Sequence, residues 1–102
     1  MTLQWYSAAL DDLDQIYDFY FTGSPRAAAL LYNQILDEVE ILITHPYIAP
    51  IEPILNDCPE EYRSLVVVKG MFKVVYYVVE DSVFIVQVFN CRQDTEKLKR
   101  KH

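Results

Sequence analysis

Residues 7–42, with the sequence SAALDDLDQIYDFYFTGSPRAAALLYNQILDEVEIL, decide the fold. Apolar side chains recur at helical spacing on both sides of a break at Gly23, so this stretch predicts two long helices. Ser24 followed by Pro25 favours a helix start, because serine caps the first turn and proline needs no hydrogen-bond partner there. Ser7 is predicted to cap the first helix in the same way. Two long helices with so short a connection must form an antiparallel hairpin.

Outside this hairpin the helical pattern gives way to shorter elements. Residues 3–6 form a short strand-like opening, and the second helix is expected to end near His45 and Pro46. From His45 to residue 59 the chain holds four of its five prolines, which predicts an extended surface connection. Near the end of the chain, Asp94 is predicted to cap a short helix over residues 95–100.

Three segments rich in Val, Tyr, Phe and Ile follow the connection, at residues 61–68, 71–80 and 83–90. The two-residue breaks between them predict an antiparallel meander. The elements together predict an α+β fold, with an N-terminal strand, a helical hairpin packed on a small antiparallel sheet and a short C-terminal helix. At 102 residues the chain is expected to form one domain over residues 1–102.

Alternation along the predicted strands leaves two apolar faces. In the middle strand one face carries Phe72, Val74, Tyr76 and Val78, and the other carries Met71, Lys73, Val75, Tyr77 and Val79. In the last strand Val83, Ile85 and Phe89 are predicted to face away from Phe84, Val86 and Val88. The hairpin can cover only one face, so the other is either closed by the C-terminal segment or open as an apolar groove for a partner. We favour the groove.

Composition excludes several classes of protein. The chain is 52% hydrophobic and 24% charged, and no apolar run approaches the roughly 20 residues of a membrane span. No signal-peptide pattern opens the chain, so we expect a cytoplasmic protein without a membrane partner. Cys58 and Cys91 lack the spacing of a zinc site or a disulfide framework. With no phosphate-binding glycine loop or nucleophile triad either, we expect no metal and no cofactor.

The net charge of −6 is unevenly divided along the chain. Residues 1–62 hold eleven acids and one base, Arg26, whereas residues 63–102 hold eight bases and four acids. The two parts therefore carry −10 and +4. A basic surface in the second part is compatible with a phosphate-bearing partner. Solvated charge that only keeps a small protein soluble explains the pattern equally well.

Six motifs occur in order along nearly the whole chain: WYSAALDDLDQIYDF, SPRAAALL, HP, EYRSLVV, FKVVYYV and NCRQD. Together they resemble the RelE/ParE superfamily of toxins from type II toxin–antitoxin systems. The resemblance implies a bacterial cytoplasmic toxin that a cognate antitoxin holds inactive, by wrapping an extended or helical segment around the sheet and helices. A homodimer is compatible with it.

The superfamily divides by target. RelE-like members cut messenger RNA in the ribosomal A site, and ParE-like members poison DNA gyrase. Because the RQD motif and the lysine-rich end resemble the RNA-cutting members, we expect inhibition of translation by ribosome-dependent, metal-free mRNA cleavage, with the ribosome and mRNA as partners. The alternatives are a ParE-like inhibitor of DNA gyrase and a catalytically inactive, partner-binding member of the same fold.

The resemblance also implies candidate catalytic residues. Cleavage by a ribose 2′-hydroxyl needs a base and cations that stabilise the charge developing on phosphorus. Arg63, Lys73 and Arg92 stand at positions similar to the cations of RelE-like toxins, and Arg92 is the strongest candidate. Glu61, together with its neighbour Glu60, could supply a carboxylate base.

Each of these candidates has a structural alternative. Arg92 could pair with Asp94, Arg63 and Lys73 could form ion pairs or a solvated face, and the glutamates could be surface charge at a strand start. The chain also departs from active relatives, because its ending TEKLKRKH has no tyrosine and only His102 as a substitute acid. This departure puts efficient ribonuclease activity in doubt.

Overall fold

A computed structural model describes residues 1–91 of the chain. The elements follow in the order β1 (Thr2–Trp5), α1 (Ser7–Phe21), α2 (Pro25–Val39), α3 (Ile41–Thr44), a 3₁₀ turn (Pro53–Leu55), β2 (Arg63–Val67), β3 (Phe72–Val79) and β4 (Ser82–Asn90). The predicted α+β class is confirmed. Arg92 and the short helix expected over residues 95–100 fall outside the described residues.

The antiparallel helical hairpin forms as predicted. Ser24 Oγ accepts a hydrogen bond of 3.1 Å from the Ala27 N–H, and Pro25 is the first residue of α2. At α1 the prediction was wrong in detail, because Ser7 is the first helical residue and the preceding Tyr6 caps the helix without a side-chain hydrogen bond. The second helix is also interrupted at Glu40, which separates α2 from the single turn α3.

The four strands form one sheet in the order β1-β4-β3-β2. β2, β3 and β4 pair antiparallel as the predicted meander, whereas β1 lies parallel to β4. The sheet is therefore mixed rather than purely antiparallel. The hairpin carries the chain across one face of the sheet before the meander begins, so β1 reaches β4 through a long crossover, as parallel strands require.

A bulge in β4 changes which side chains face the helices. Tyr76 of β3 pairs with Ile85, but the preceding Val75 pairs with Gln87, so Val86 is an extra residue in β4. One inserted residue reverses the alternation of the strand beyond it. The predicted alternation of β4 is therefore wrong beyond Val86: Val88 packs with the helix-facing core and Phe89 lies in the core on the other face.

Both faces of the sheet have a buried core. The larger core lies between the sheet and the helices and includes Leu13, Ile35, Phe72, Val74, Tyr76 and Ile85. The smaller core, on the outer face, consists of Leu55, Val75, Val86 and Phe89. Ile54, Cys58, Tyr62 and Tyr77 pack against it. The expected open groove is therefore absent from this part of the face, because the proline-rich connection places Leu55 over the strands.

None of the helices within residues 1–91 has the length and apolar character needed to cross a membrane.

Candidate functional site

The proline-rich connection bends around the free edge of β2 and fastens to Arg63. The Arg63 guanidinium donates from Nη1 to the Ala49 carbonyl at 2.8 Å and from Nη2 to Glu61 Oε1 at 2.7 Å. It also lies 5.2 Å from the centre of the Tyr47 ring, within cation–π distance. Backbone contacts continue along the edge, where the Ser64 N–H donates to the Pro50 carbonyl. Arg63 therefore holds the connection in place.

Lys73 binds the same connection further along, through a buried carboxylate. Lys73 Nζ lies 2.8 Å from Glu52 Oε1, and the Glu52 side chain is 1% exposed. The Ser64 hydroxyl and the Ile54 N–H also donate to Glu52, at 3.2 and 3.3 Å. Burial alone would raise the pKa of the Glu52 carboxyl. The hydrogen bonds from Lys73, Ile54 and Ser64 and the positive charge of Lys73 have a larger effect in the opposite direction, so the pKa is lowered.

The sheet separates Arg63 from Lys73. Side chains that pair directly across two strands point to the same face. Arg63 pairs with Tyr76, whose ring belongs to the helix-facing core, so Arg63 faces the helices. Lys73 alternates with Phe72 and Val74 of that core, so it faces the opposite side. The two cations therefore do not converge on one phosphate-sized site.

The remaining candidate residues are only partly brought together. Glu61 lies just before β2 with its side chain 61% exposed, paired to Arg63, whose side chain is 17% exposed. Arg92 lies outside the described residues. The catalytic roles of Arg63, Lys73, Arg92 and Glu61 stay predictions.

Two features of this region were missed by sequence reasoning. The first is Glu52, a carboxylate between two prolines that nothing in its local pattern marks as buried. The second is an aromatic cluster in which the Tyr77 ring stacks on Phe84 at 5.0 Å and meets Tyr62 and Tyr6 edge-on at 5.7 and 6.3 Å. The strand alternation that placed Tyr77 on the outer face was the available signal for this cluster.

A short contact joins two tyrosines of the cluster. The hydroxyls of Tyr6 and Tyr77 are 2.6 Å apart. The hydrogen bond with Tyr6, together with burial and the nearby Tyr6, Glu60 and Tyr62 charges, raises the pKa of Tyr77 to about 12. The pair links the end of β1 to β3 across the intervening β4. Within residues 1–91, no three His, Cys, Asp or Glu side chains come together as metal ligands would.

Comparison with known proteins gives a family and two similar folds. The family model described as the ParE toxin of type II toxin-antitoxin system, parDE, matches residues 3–95. A structure titled as the chromosomal ParDE TA system from P. aeruginosa superposes with a TM-score of 0.73 at 24% identity, over 88% of this chain and 95% of that chain.

The isolated E. coli RelE toxin superposes with a TM-score of 0.62 at 18% identity, over 97% of this chain and 96% of that chain. No curated protein sequence matches the chain. At these identities the two solved structures show that the fold is shared, whereas the family model extends over nearly the whole sequence.

Proposed function

Because this chain belongs to the ParE family of type II toxin–antitoxin toxins, we propose that it arrests growth by binding DNA gyrase. Membership in the family implies a cognate antitoxin as partner. ParE-like toxins act on gyrase, whereas the likeness to RelE lies in the fold, at 18% identity. We further propose that the protein acts in the cytoplasm, where gyrase is found.

The arrangement of Arg63 and Lys73, the two candidate cations among residues 1–91, is the observation that carries this proposal. Cleavage of RNA by its own 2′-hydroxyl needs cations aimed together at the phosphorus where negative charge develops. Arg63 and Lys73 point to opposite faces of the sheet, and each is paired with a carboxylate of the protein. Pairing with Glu61 and Glu52 neutralises the charge that a phosphate would require. Inhibition of gyrase by binding needs only a complementary surface, with no proton relay.

The proposal is tested by timing the arrest in cells. After tightly controlled induction, thymidine and methionine incorporation are followed in parallel over the first minutes. We expect thymidine incorporation to fall first, with accumulation of cleaved DNA and a DNA-damage response. An earlier fall in methionine incorporation, with DNA intact, would overturn the proposal in favour of ribosome-directed cleavage.

A second experiment tests the target directly. Purified toxin is added to purified gyrase and relaxed plasmid, and supercoiling is followed with and without the antitoxin in excess. We expect the toxin to inhibit supercoiling or to trap cleaved plasmid, and the antitoxin to relieve the effect. Unimpaired supercoiling at a saturating toxin concentration would contradict a direct action on gyrase.

A further inference from the structure

β1 forms one edge of the sheet, and half of its main-chain groups point away from β4. The N–H groups of Thr2 and Tyr6 donate to carbonyls on the β4 side, at 2.9 Å each. Successive residues of a strand direct their main-chain groups to alternate sides, so those of Leu3 and Trp5 point outward. Within residues 1–91, no other segment donates to or accepts from these outward groups.

The opposite edge of the sheet, at β2, is protected. The Ser64 N–H donates to the Pro50 carbonyl, and the Glu38 carboxylate accepts from the Val68 N–H. Loops and charged side chains at an edge strand prevent its pairing with other chains. β1 has neither device, because residues 1–6 contain no charged side chain and no proline and their pairing with β4 is regular. Of the described strands, β1 is therefore the one open to a further strand.

We propose that β1 pairs with β1 of a second copy of this chain, antiparallel about a twofold axis at Gln4. In this register Leu3 of each copy lies opposite Trp5 of the other, and each such pair exchanges two N–H···O=C hydrogen bonds. The two pairs satisfy the outward main-chain groups of both strands. The same strand supplies both sides of the contact, as a twofold interface requires. The four strands of each copy then continue into one sheet.

The surroundings of β1 favour a copy of the same chain over a partner of opposite charge. The single turn α3 packs beside β1, and the Met1 amine donates to the Ile43 carbonyl at 3.2 Å. Ile41 and Ile43 are 37% and 38% exposed, and α3 has no charged side chain. A basic partner would find no carboxylate on this border, whereas a second copy would cover apolar surface with apolar surface.

This inference concerns self-association and does not depend on the choice of gyrase as target. It is measured on the purified toxin without gyrase, ribosomes or growth. Failure of the gyrase experiments would therefore leave the inference standing, and failure of the association experiment would leave the gyrase proposal standing.

The experiment follows the mass of the full chain by sedimentation equilibrium over a range of concentrations. Gln4→Lys places two lysine side chains opposite each other at the twofold axis, where unlike charges would attract and like charges repel. Gln4→Glu makes the complementary variant, to be mixed with Gln4→Lys. Gln15→Lys is the matched control, because it makes the same change at an exposed position of α1.

We expect the unmodified chain to dimerise with a dissociation constant of about 1–100 μM, since the contact is small. Gln4→Lys and Gln4→Glu should each dimerise at least about tenfold more weakly, and their mixture should recover the dimer. Gln15→Lys should stay within about twofold of the unmodified chain. Each copy carries a net charge of −6, so added salt should strengthen the dimer by screening the repulsion.

Hydrogen exchange shows which strand associates. The Leu3 and Trp5 N–H groups should exchange more slowly as the concentration rises, whereas the N–H of Val66 on β2 should not change. Thermal unfolding checks that each variant is folded. A monomer at all concentrations up to about 1 mM, or equal dimerisation of Gln4→Lys and the unmodified chain, would overturn the inference. Protection of Leu3 and Trp5 only after the antitoxin is added would also overturn it, because the antitoxin would then be the occupant of this edge.

Discussion

Asp12 Oδ2, on α1, accepts a hydrogen bond of 3.0 Å from the backbone N–H of Val88 on β4. Asp12 is only 8% exposed, although two neighbouring aspartates, Asp11 and Asp14, lie at the surface. Val88 lies two residues beyond the extra residue of the β4 bulge, and the pairing of β1 with β4 ends before it, at Ile85. The carboxylate therefore joins the helical hairpin to the part of β4 that β1 does not cover.

Removal of the Asp12 carboxylate is expected to destabilise the protein. Asp12→Ala leaves a buried backbone N–H without its acceptor, which costs about 1–3 kcal/mol of the free energy of unfolding. Asp12→Asn retains an oxygen acceptor and should cost less. Asp11→Ala, at an exposed position one residue earlier, should change stability by no more than about 0.5 kcal/mol. Urea unfolding measures all three, and equal losses at Asp11 and Asp12 would contradict the role of the hydrogen bond.

The Glu52 carboxylate is expected to make stability depend on acid pH. Its folded-state pKa lies below the ordinary value of 4.5, because the hydrogen bonds and charge of Lys73 and its other partners outweigh burial. The unfolded chain therefore takes up the proton first, so the stabilisation is present above pH 4.5 and is lost as the pH falls below 4.5 through the folded pKa. Glu52→Gln should flatten this part of the stability profile. If the stability of Glu52→Gln fell as steeply with decreasing pH as that of the unmodified chain, Glu52 would not be the source of this pH dependence.

Tyr77 is expected to ionise later than an ordinary tyrosine. Its pKa is about 12 in the folded protein, against 10.0 for the isolated group. Between these values the unfolded chain has lost a proton that the folded chain keeps, so stability should fall as the pH rises from 10 to 12. ¹³C NMR of tyrosine Cζ should show Tyr77 still mostly protonated at a pH of about 11. Tyr6→Phe should lower the pKa of Tyr77, and Tyr17→Phe should leave it unchanged.

The left-handed backbone conformation of Glu80 predicts that glycine at this position stabilises the protein. Glu80 has φ 54° in the turn between β3 and β4. This left-handed conformation is unfavourable for a residue with a side chain, whereas glycine adopts it at little cost in free energy. Glu80→Gly should raise the free energy of unfolding by about 0.5–1 kcal/mol. Glu40→Gly makes the same change at φ −59° and should lower stability by a similar amount. Thermal unfolding compares the two, and a loss of stability at both positions would show that the turn is not strained.

Substitution of Glu61 distinguishes growth arrest by gyrase binding from growth arrest by RNA cleavage, and it should disturb the fold little. Its side chain is 61% exposed, and Arg63 keeps its bond to the Ala49 carbonyl without it. Glu61→Ala should therefore leave growth arrest intact if the toxin inhibits gyrase by binding. Loss of growth arrest in a folded Glu61→Ala protein, with Asp57→Ala unaffected, would support Glu61 as the base of an RNA-cleaving site.

The sequence by itself determined the parts of the fold that depend on neighbours in the chain. The helical spacing around Gly23 and the Ser24–Pro25 start specify the hairpin, because capping and periodicity act within a few residues. The meander follows from strand-forming segments with short breaks, and the family resemblance, carried by motifs along the whole chain, predicted a toxin of this superfamily correctly. The choice between gyrase and mRNA as target did not follow from those motifs.

Only the tertiary structure decided how the elements meet. A bulge at Val86 reverses the alternation of β4, and strict period-two reasoning cannot place such an insertion. In the sequence, Asp12 and Glu52 look like any other acidic residue. What sets them apart is a hydrogen bond to Val88 and to Lys73, which lie 76 and 21 residues away in sequence. Arg63 and Lys73 have suitable chemistry for a shared phosphate site, but the register of β2 and β3, which pairs Arg63 with Tyr76 and Lys73 with Val66, puts them on opposite faces of the sheet. Contacts of this kind depend on strand register, which is set by the packing of distant segments rather than by local sequence.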